Sequence, residues 1–239
     1  MVKWKKVDAD QLDTDLTSVA DAIREKAGTT EELAFPGGFV SAVAGLVDYE
    51  TYFAQVFNGE IAKFKNSKIT KLTSDLCRNN QNLTVVDLPN VTSIGSSNFN
   101  NCKALSQVNF PKLKTMGASN FEVAAFEEII LPELETITGW GYNFCGCRVK
   151  RIYLPKLKNL TLSEFSGCAS LVTVVLGAET VCEMSNTNVF NQTPIQKGTG
   201  YVYVPRALVD SYKAATNWST YASQIRAIED YPEVLEGWE

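Results

Sequence analysis

A period of about 22 residues runs through the middle of the chain and constrains everything else in it. Residues 84–106 read TVVDLPNVTSIGSSNFNNCKALS, and 106–127 read SQVNFPKLKTMGASNFEVAAFE. Residues 128–150 and 151–172 follow as EIILPELETITGWGYNFCGCRVK and RIYLPKLKNLTLSEFSGCASLV. Pro89, Pro111, Pro132 and Pro155 are spaced by 22, 21 and 23 residues. Gly177 lies 22 residues beyond Pro155 and Ser67 lies 22 before Pro89, so degenerate copies flank the clear ones. Each copy is one unit too short to bury its own apolar side. Stacked copies bury a continuous core, so the period demands a solenoid.

Within each copy the residue types say where the coil turns. Three residues before the prolines stand Val86, Val108, Ile129 and Ile152, and one before them Leu88, Phe110, Leu131 and Leu154. This alternation predicts a short strand with one buried face. Proline ends it, having no N–H to donate to the ladder. Val91, Leu113, Leu134 and Leu157 follow two residues later, then Ile94, Met116, Ile137 and Leu160. Phe99, Phe121 and Phe165 stand ten residues past the proline, and Phe144 twelve past it. Asn101-Cys102, Gly146-Cys147 and Gly167-Cys168 follow the aromatics. Each coil thus supplies a strand, a turn and an aromatic plug.

This period is that of leucine-rich repeats. The residues resemble the BspA-type leucine-rich repeat family, best at Leu88-Pro89, Ile94-Gly95, Phe99 and Cys102. The resemblance covers roughly residues 61–205 and implies an α+β repeat, a right-handed leucine-rich-repeat solenoid. Gly139 stands in a shifted place in the third clear copy, and Val123-Ala124-Ala125 replaces the Asn-Cys of the second.

Three domains are expected. Residues 1–50 form a helical module, 51–205 the solenoid, and 206–239 a helical cap and tail. In the first, residues 13–27 open on Asp and Thr caps, with Leu16, Val19, Ala20, Ile23 and Ala27 on one helical stripe and Gly28 as the stop. A second helix is expected over 36–47. The run DTDLTSVADAIREKAGTTEELAFPGGFVSAV also resembles a short module at the front of many bacteriophage structural proteins. Asn58-Gly59, between the runs TYFAQVF and EIAKFK, predicts a hairpin whose first arm covers the open edge of the solenoid. Tyr201–Pro205 repeats the strand-then-proline grammar, so 178–200 is expected to be one coil expanded into a polar loop. Residues 207–215 read as a helix, and Trp218, Tyr221 and Ile225 continue an apolar stripe. This block resembles the end of BspA-type proteins, where a helix closes the last coil. The tail YPEVLEGWE is expected to be loosely held apart from Tyr231 and Trp238.

Composition excludes much chemistry. The chain has no histidine, which removes Ser-His-Asp triads, Cys-His dyads, His-ligated metals and the usual neutral-pH base. No phosphate-cradling glycine motif is present, because Gly139-Trp140-Gly141 lacks the third glycine and the βαβ context. Glu133 and Glu135 read as a solvated turn. No enzyme activity, cofactor or metal is expected. A net charge of −5 argues against a nucleic-acid partner. No apolar run approaches 18 residues, so membrane insertion is not expected. The N-terminal MVKWKKVDADQLD lacks the apolar core of a secretory signal. The protein is therefore expected to travel inside a virus particle, or to have had a signal trimmed. Six cysteines are read mainly as free thiols, with Cys102, Cys147 and Cys168 stacked in one column. Five N-x-[S/T] sequons, at Asn82, Asn90, Asn159, Asn191 and Asn217, read as turn chemistry.

What remains is surface. Residues two and four before each proline point away from the core. Toward the C-terminal half this face becomes apolar and aromatic, through Glu128, Ile130, Arg151, Tyr153, Val175, Tyr201 and Tyr203. Such a patch is the candidate ligand-binding site unless the C-terminal segment or a second subunit covers it. The expected partner is a protein or cell-surface glycan. The expected role is a phage- or prophage-encoded recognition or structural protein, virion-associated, with a bacterial cell-surface adhesin as the alternative.

Overall fold

In the computed structural model the described residues are Glu25 and 54–238. The chain divides into two compact units, residues 1–55 and 56–239. The helices expected over 13–27 and 36–47 lie outside the described residues, Glu25 apart. The segment from 206 onward falls within the second unit.

Each coil contributes a three-residue strand, then a two-residue strand after its proline turn. The pairs are β1 (Lys63–Lys65) with β2 (Lys71–Leu72), β3 (Val85–Asp87) with β4 (Ser93–Ile94), and β5 (Gln107–Asn109) with β6 (Thr115–Met116). They continue as β7 (Glu128–Ile130) with β8 (Thr136–Ile137), β9 (Arg151–Tyr153) with β10 (Asn159–Leu160), and β11 (Thr173–Val175) with β12 (Glu183–Met184). Two further strands follow, β13 (Tyr201–Val204) and β14 (Ile225–Ala227). Pairing is parallel throughout, with Val86 opposite Val108, Ile129 opposite Ile152 and Ile152 opposite Val174. In β3, β7 and β9 the middle residue points into the core, as the period-2 alternation requires.

The first face is not one sheet. The order β1-β3-β5 is separate from β7-β9-β11-β13-β14, and the break falls where successive prolines are 21 rather than 22 residues apart. The second face runs unbroken through β2-β4-β6-β8 and then resumes as β10-β12. Across that second break a side chain replaces the ladder. The Asn159 amide accepts from Ile137 N–H at 3.1 Å and donates to Ile137 O at 2.7 Å.

The core is a column of aromatic rings. Phe99, Phe121, Phe144, Phe165 and Phe190 stack face to face, with centroids 5.5–5.8 Å apart and interplanar angles of 9–22°. Trp218 and Tyr221 close the column against Phe190. Beside it runs a column of buried amides. The Asn120 side chain accepts from Asn98 N–H, Asn143 from Asn120 N–H, and the Glu164 carboxylate from Asn143 N–H. Burial pushes the Glu164 carboxyl above the usual range, against opposing hydrogen bonds from Thr161 and Asn143.

All six cysteines are free thiols, five of them buried. The Cys102, Cys147 and Cys168 thiols each donate to a carbonyl of the preceding coil at 2.8–3.0 Å. Cys77 occupies the aromatic column one coil before Phe99, its N–H bonded to Asn98 O. Burial raises these thiols, Cys102 to about 11 and Cys168 to about 12. The residue before each column cysteine is left-handed (Asn101, Gly146 and Gly167), which explains the Asn or Gly there. Val123 adopts the same conformation in the second copy without that tolerance.

Four expectations are corrected. Residues 54–57 are helical, not a strand arm, and Gly59 (φ 78°) ends the turn with its N–H on Val56 O. The Asn-Gly pair therefore serves as a helix stop, where a lone left-handed glycine suffices. Phe57 still packs edge-on against Phe64, in the first strand. Residues 178–200 are not an irregular loop but complete the coil that β11 opens, because β12 pairs with β10 and the turn Thr187–Phe190 delivers the last ring of the column. The closing segment is mixed and not simply helical. It runs through a 3-10 turn at Arg206–Leu208, α1 (Val209–Ala214), a 3-10 stretch at Trp218–Gln224, and β14. Ile225 and Ala227 alternate inward, so their period is that of a strand. Finally, the tail is packed, as the next subsection describes.

Candidate functional site

Strands β7, β9, β11 and β13 place the predicted site residues side by side on one face. Glu128, Arg151, Thr173 and Tyr201 form one row, and Ile130, Tyr153, Val175 and Tyr203 the other. Arg151 Nη1 donates to Glu128 Oε1 at 3.1 Å across the strands. Tyr201 and Tyr203 meet edge to face, and Arg226 of β14 lies 4.5 Å over the Tyr201 ring.

Exposure is where expectation and structure differ. Val175 is 0% and Tyr203 8% exposed, because residues 228–238 lie across this half of the face. Two 3-10 turns, Ile228–Asp230 and Pro232–Leu235, shape the segment. Val234 packs into a cluster with Val175 and Tyr203. Trp238 stacks on Tyr153 with centroids 5.1 Å apart, and Arg151 lies 4.2 Å over the Trp238 ring. Arg151 Nη2 also donates to Val234 O and Glu236 O. Tyr231 meets Tyr203 edge-on at 5.6 Å. Burial raises the Tyr203 hydroxyl above its ordinary value, with Tyr231 and Glu233 adding to the shift. The seven predicted residues therefore do come together, and the chain's own tail sits on four of them: Arg151, Tyr153, Val175 and Tyr203.

Glu128 and Ile130 lie at the edge of a cleft of about 250 Å3 between β5 and β7, with Val108, Asn109, Pro111 and Pro132. The rest of the face, on β1, β3 and β5, is polar. Asp87 is 3.6 Å from Lys65 and accepts from Asn109 Nδ2 at 2.8 Å.

Glu133 and Glu135 each meet a lysine 23 residues on, Lys156 and Lys158, at 2.6 Å. The Lys158 hydrogen bond and charge hold the Glu135 carboxyl below its usual value. Four of the sequon asparagines are similarly occupied. Asn82, Asn90, Asn159 and Asn217 donate to backbone carbonyls of Gly59, Ser67, Ile137 and Met184. Among the described residues no group of three His, Cys, Asp or Glu could hold a metal ion. No described helix is long and apolar enough to cross a membrane.

Coils of this length, each with a short parallel strand and an aromatic plug, define a leucine-rich-repeat protein. More particularly, the chain belongs to the BspA type leucine-rich repeat region family, whose repeat matches residues 70–196 in six copies. Such repeats generally bind proteins, and the family is typically non-enzymatic. Among solved structures the chain is similar to a leucine-rich repeat protein from Bacteroides ovatus. That similarity has 23% identity and a TM-score of 0.46, covering 62% of this chain and 40% of the other. The chain thus spans two fifths of that relative's length. No curated protein matches it.

Proposed function

We propose that this is a non-enzymatic recognition protein that captures a peptide segment of a partner protein on β7, β9, β11 and β13, in the place its own tail holds. The observation that carries the reading is the tail itself. Its stacked Trp238, inserted Val234 and carbonyl contacts to Arg151 support an aromatic-bearing peptide as the occupant of this face. Each aromatic or cation–π contact of this kind contributes about 0.5–2 kcal/mol, few enough for a competitor to displace. The Trp238 indole N–H, buried without a partner among the described residues, weakens the tail's hold further. A cell-surface glycan is the alternative ligand for the same face.

The proposed setting is a phage or prophage particle that contacts a bacterial surface or another virion protein. The resemblance of residues 13–43 to phage structural modules supports it. Membership of the BspA-type family favours a second setting, an adhesin on the bacterial cell surface. Immunolocalisation separates the two: signal on released particles supports the first, and signal on intact, uninduced cells the second.

The binding reading is tested with a chain ending at Asp230 and a synthetic peptide of residues 231–238. The shortened chain is expected to bind the peptide at least about tenfold more tightly than the full chain does. Tyr153→Ala and Arg151→Ala in the shortened chain should weaken binding by roughly tenfold, with unfolding midpoints unchanged. Equal affinity of the full and shortened chains would refute displacement by the peptide.

A further inference from the structure

The corner after the second-face strands carries one feature that its neighbours lack. Proline to plug phenylalanine takes ten residues in the first, second and fourth copies, but twelve in the third. The additional chain emerges as Thr138-Gly139-Trp140-Gly141-Tyr142, with Gly139 and Gly141 both left-handed at φ 84° and 88°. A Cβ on Gly141 would stand 2.0 Å from Leu162 O, so only glycine fits there. Between these glycines Trp140 is 77% exposed, and Tyr142 beside it is 40% exposed.

The inserted backbone is tied to both neighbouring coils, with Ser119 N–H on Gly141 O at 2.9 Å and Tyr142 N–H on Leu162 O at 3.0 Å, yet the Trp140 indole stays outside the packing. In the second copy the Asn120 amide donates to Gly95 O at 2.8 Å, whereas the equivalent Asn143 Nδ2 is buried without a partner among the described residues. A buried unpaired donor, two left-handed glycines and a solvent-facing indole are all costs to stability. The bonded backbone does not account for the two exposed rings, which offer apolar surface to a ligand.

The surroundings state the chemistry of that ligand. Coil corners on either side contribute Gly95-Ser96-Ser97, Gly117-Ala118-Ser119 and Thr161-Leu162-Ser163, so this strip has no charged side chain. Gly139 meets Ala118 on one side and Gly141 meets Leu162 on the other, which seats the bulge within the strip. Ser96 Oγ accepts from Ala118 N–H at 3.1 Å, leaving its own proton to donate outward. An exposed indole and phenol on a bulge flanked by small, neutral, hydroxyl-bearing corners suit a ligand that offers a flat C–H face and many hydroxyls, and no charge.

We infer that Trp140 and Tyr142 form a second binding site, for neutral oligosaccharides whose β-1,4-linked, equatorially substituted pyranose rings stack on the indole. It is separate from the sheet face and stands without the peptide reading. The test uses the full chain with cellohexaose and chitohexaose, followed by calorimetry and saturation-transfer NMR. At least one sugar is expected to bind, with transfer to the ring C–H protons. Trp140→Ala should lower that affinity roughly tenfold or more without moving the unfolding midpoint. Tyr153→Ala, on the sheet face, should leave it unchanged. Binding of neither sugar would overturn the inference, as would full affinity in Trp140→Ala or equal preference for a heparin hexasaccharide. If the wild type instead retained a protein partner through Trp140 and no sugar, the site would be a protein hot spot and the inference wrong.

Discussion

Replacing Phe121 with alanine is expected to lower the unfolding free energy by about 3–5 kcal/mol, the range for deleting a fully buried aromatic ring. Phe121 is 0% exposed and stands at the centre of the column. It stacks on Phe99 and Phe144 and also meets Phe110 and Phe126. Its loss opens a cavity between coils that cannot collapse, because strand pairing on the second face fixes their spacing there. Each coil leans only on its neighbours, so the damage should also divide the solenoid. Denaturant unfolding checks this: the midpoint should fall, and the transition should broaden or split. A loss under 1 kcal/mol in a single sharp transition would mean that the column does not couple the coils.

Replacing Asn120 with alanine is expected to cost about 2–4 kcal/mol, although the side chain is polar and much smaller than a phenylalanine. Asn120 Oδ1 accepts from Asn98 N–H at 3.1 Å and Nδ2 donates to Gly95 O at 2.8 Å. Alanine leaves both backbone groups without that partner, each at about 1–3 kcal/mol. The position is fully buried. Equilibrium unfolding of Asn120→Ala beside the wild type measures the loss directly. A value below 1 kcal/mol would show that water or a backbone shift replaces the amide.

The two residues differ in how plainly the sequence announced them. Phe121 sits at a fixed distance from a proline, and apolar residues at a fixed period have one reading. Asn120 sits one place earlier, where asparagine reads as a turn residue. The signal was nonetheless present, since Asn98-Phe99, Asn120-Phe121 and Asn143-Phe144 repeat the pair. Strand positions were legible because proline and β-branched alternation act locally. Val86, Val108, Ile129 and Ile152 all stand at the middle of a strand on the first face.

Features that depend on distant partners were not legible. Phe190 follows Phe165 by 25 residues, and this drift hid a regular coil inside an apparently polar loop. The helical stretch at 54–57 lost to a strong local hairpin signal at Asn58-Gly59. The site was legible as a set of residues and not as a surface. Strand alternation placed Tyr153 and Tyr203 together, but their cover comes from Trp238 and Tyr231, 85 and 28 residues further along the chain. The unpaired Asn143 amide beside the Trp140 bulge likewise emerges only when neighbouring coils are compared.

Peptide capture on the sheet face requires that the tail, which occupies that face, can leave it. Its backbone is internally bonded, Val234 N–H to Tyr231 O, Glu236 N–H to Glu233 O, and Trp238 N–H to Leu235 O, at 3.0–3.2 Å. Native-state hydrogen exchange of the intact chain reads the opening of these amides against those of Ile152 and Val174 in β9 and β11. The tail amides are expected to exchange through a local opening at a small fraction of the global unfolding free energy, while the strand amides require global unfolding. Protection of Val234 and Trp238 equal to that of Val174 would contradict it, because the tail would then be a fixed part of the core.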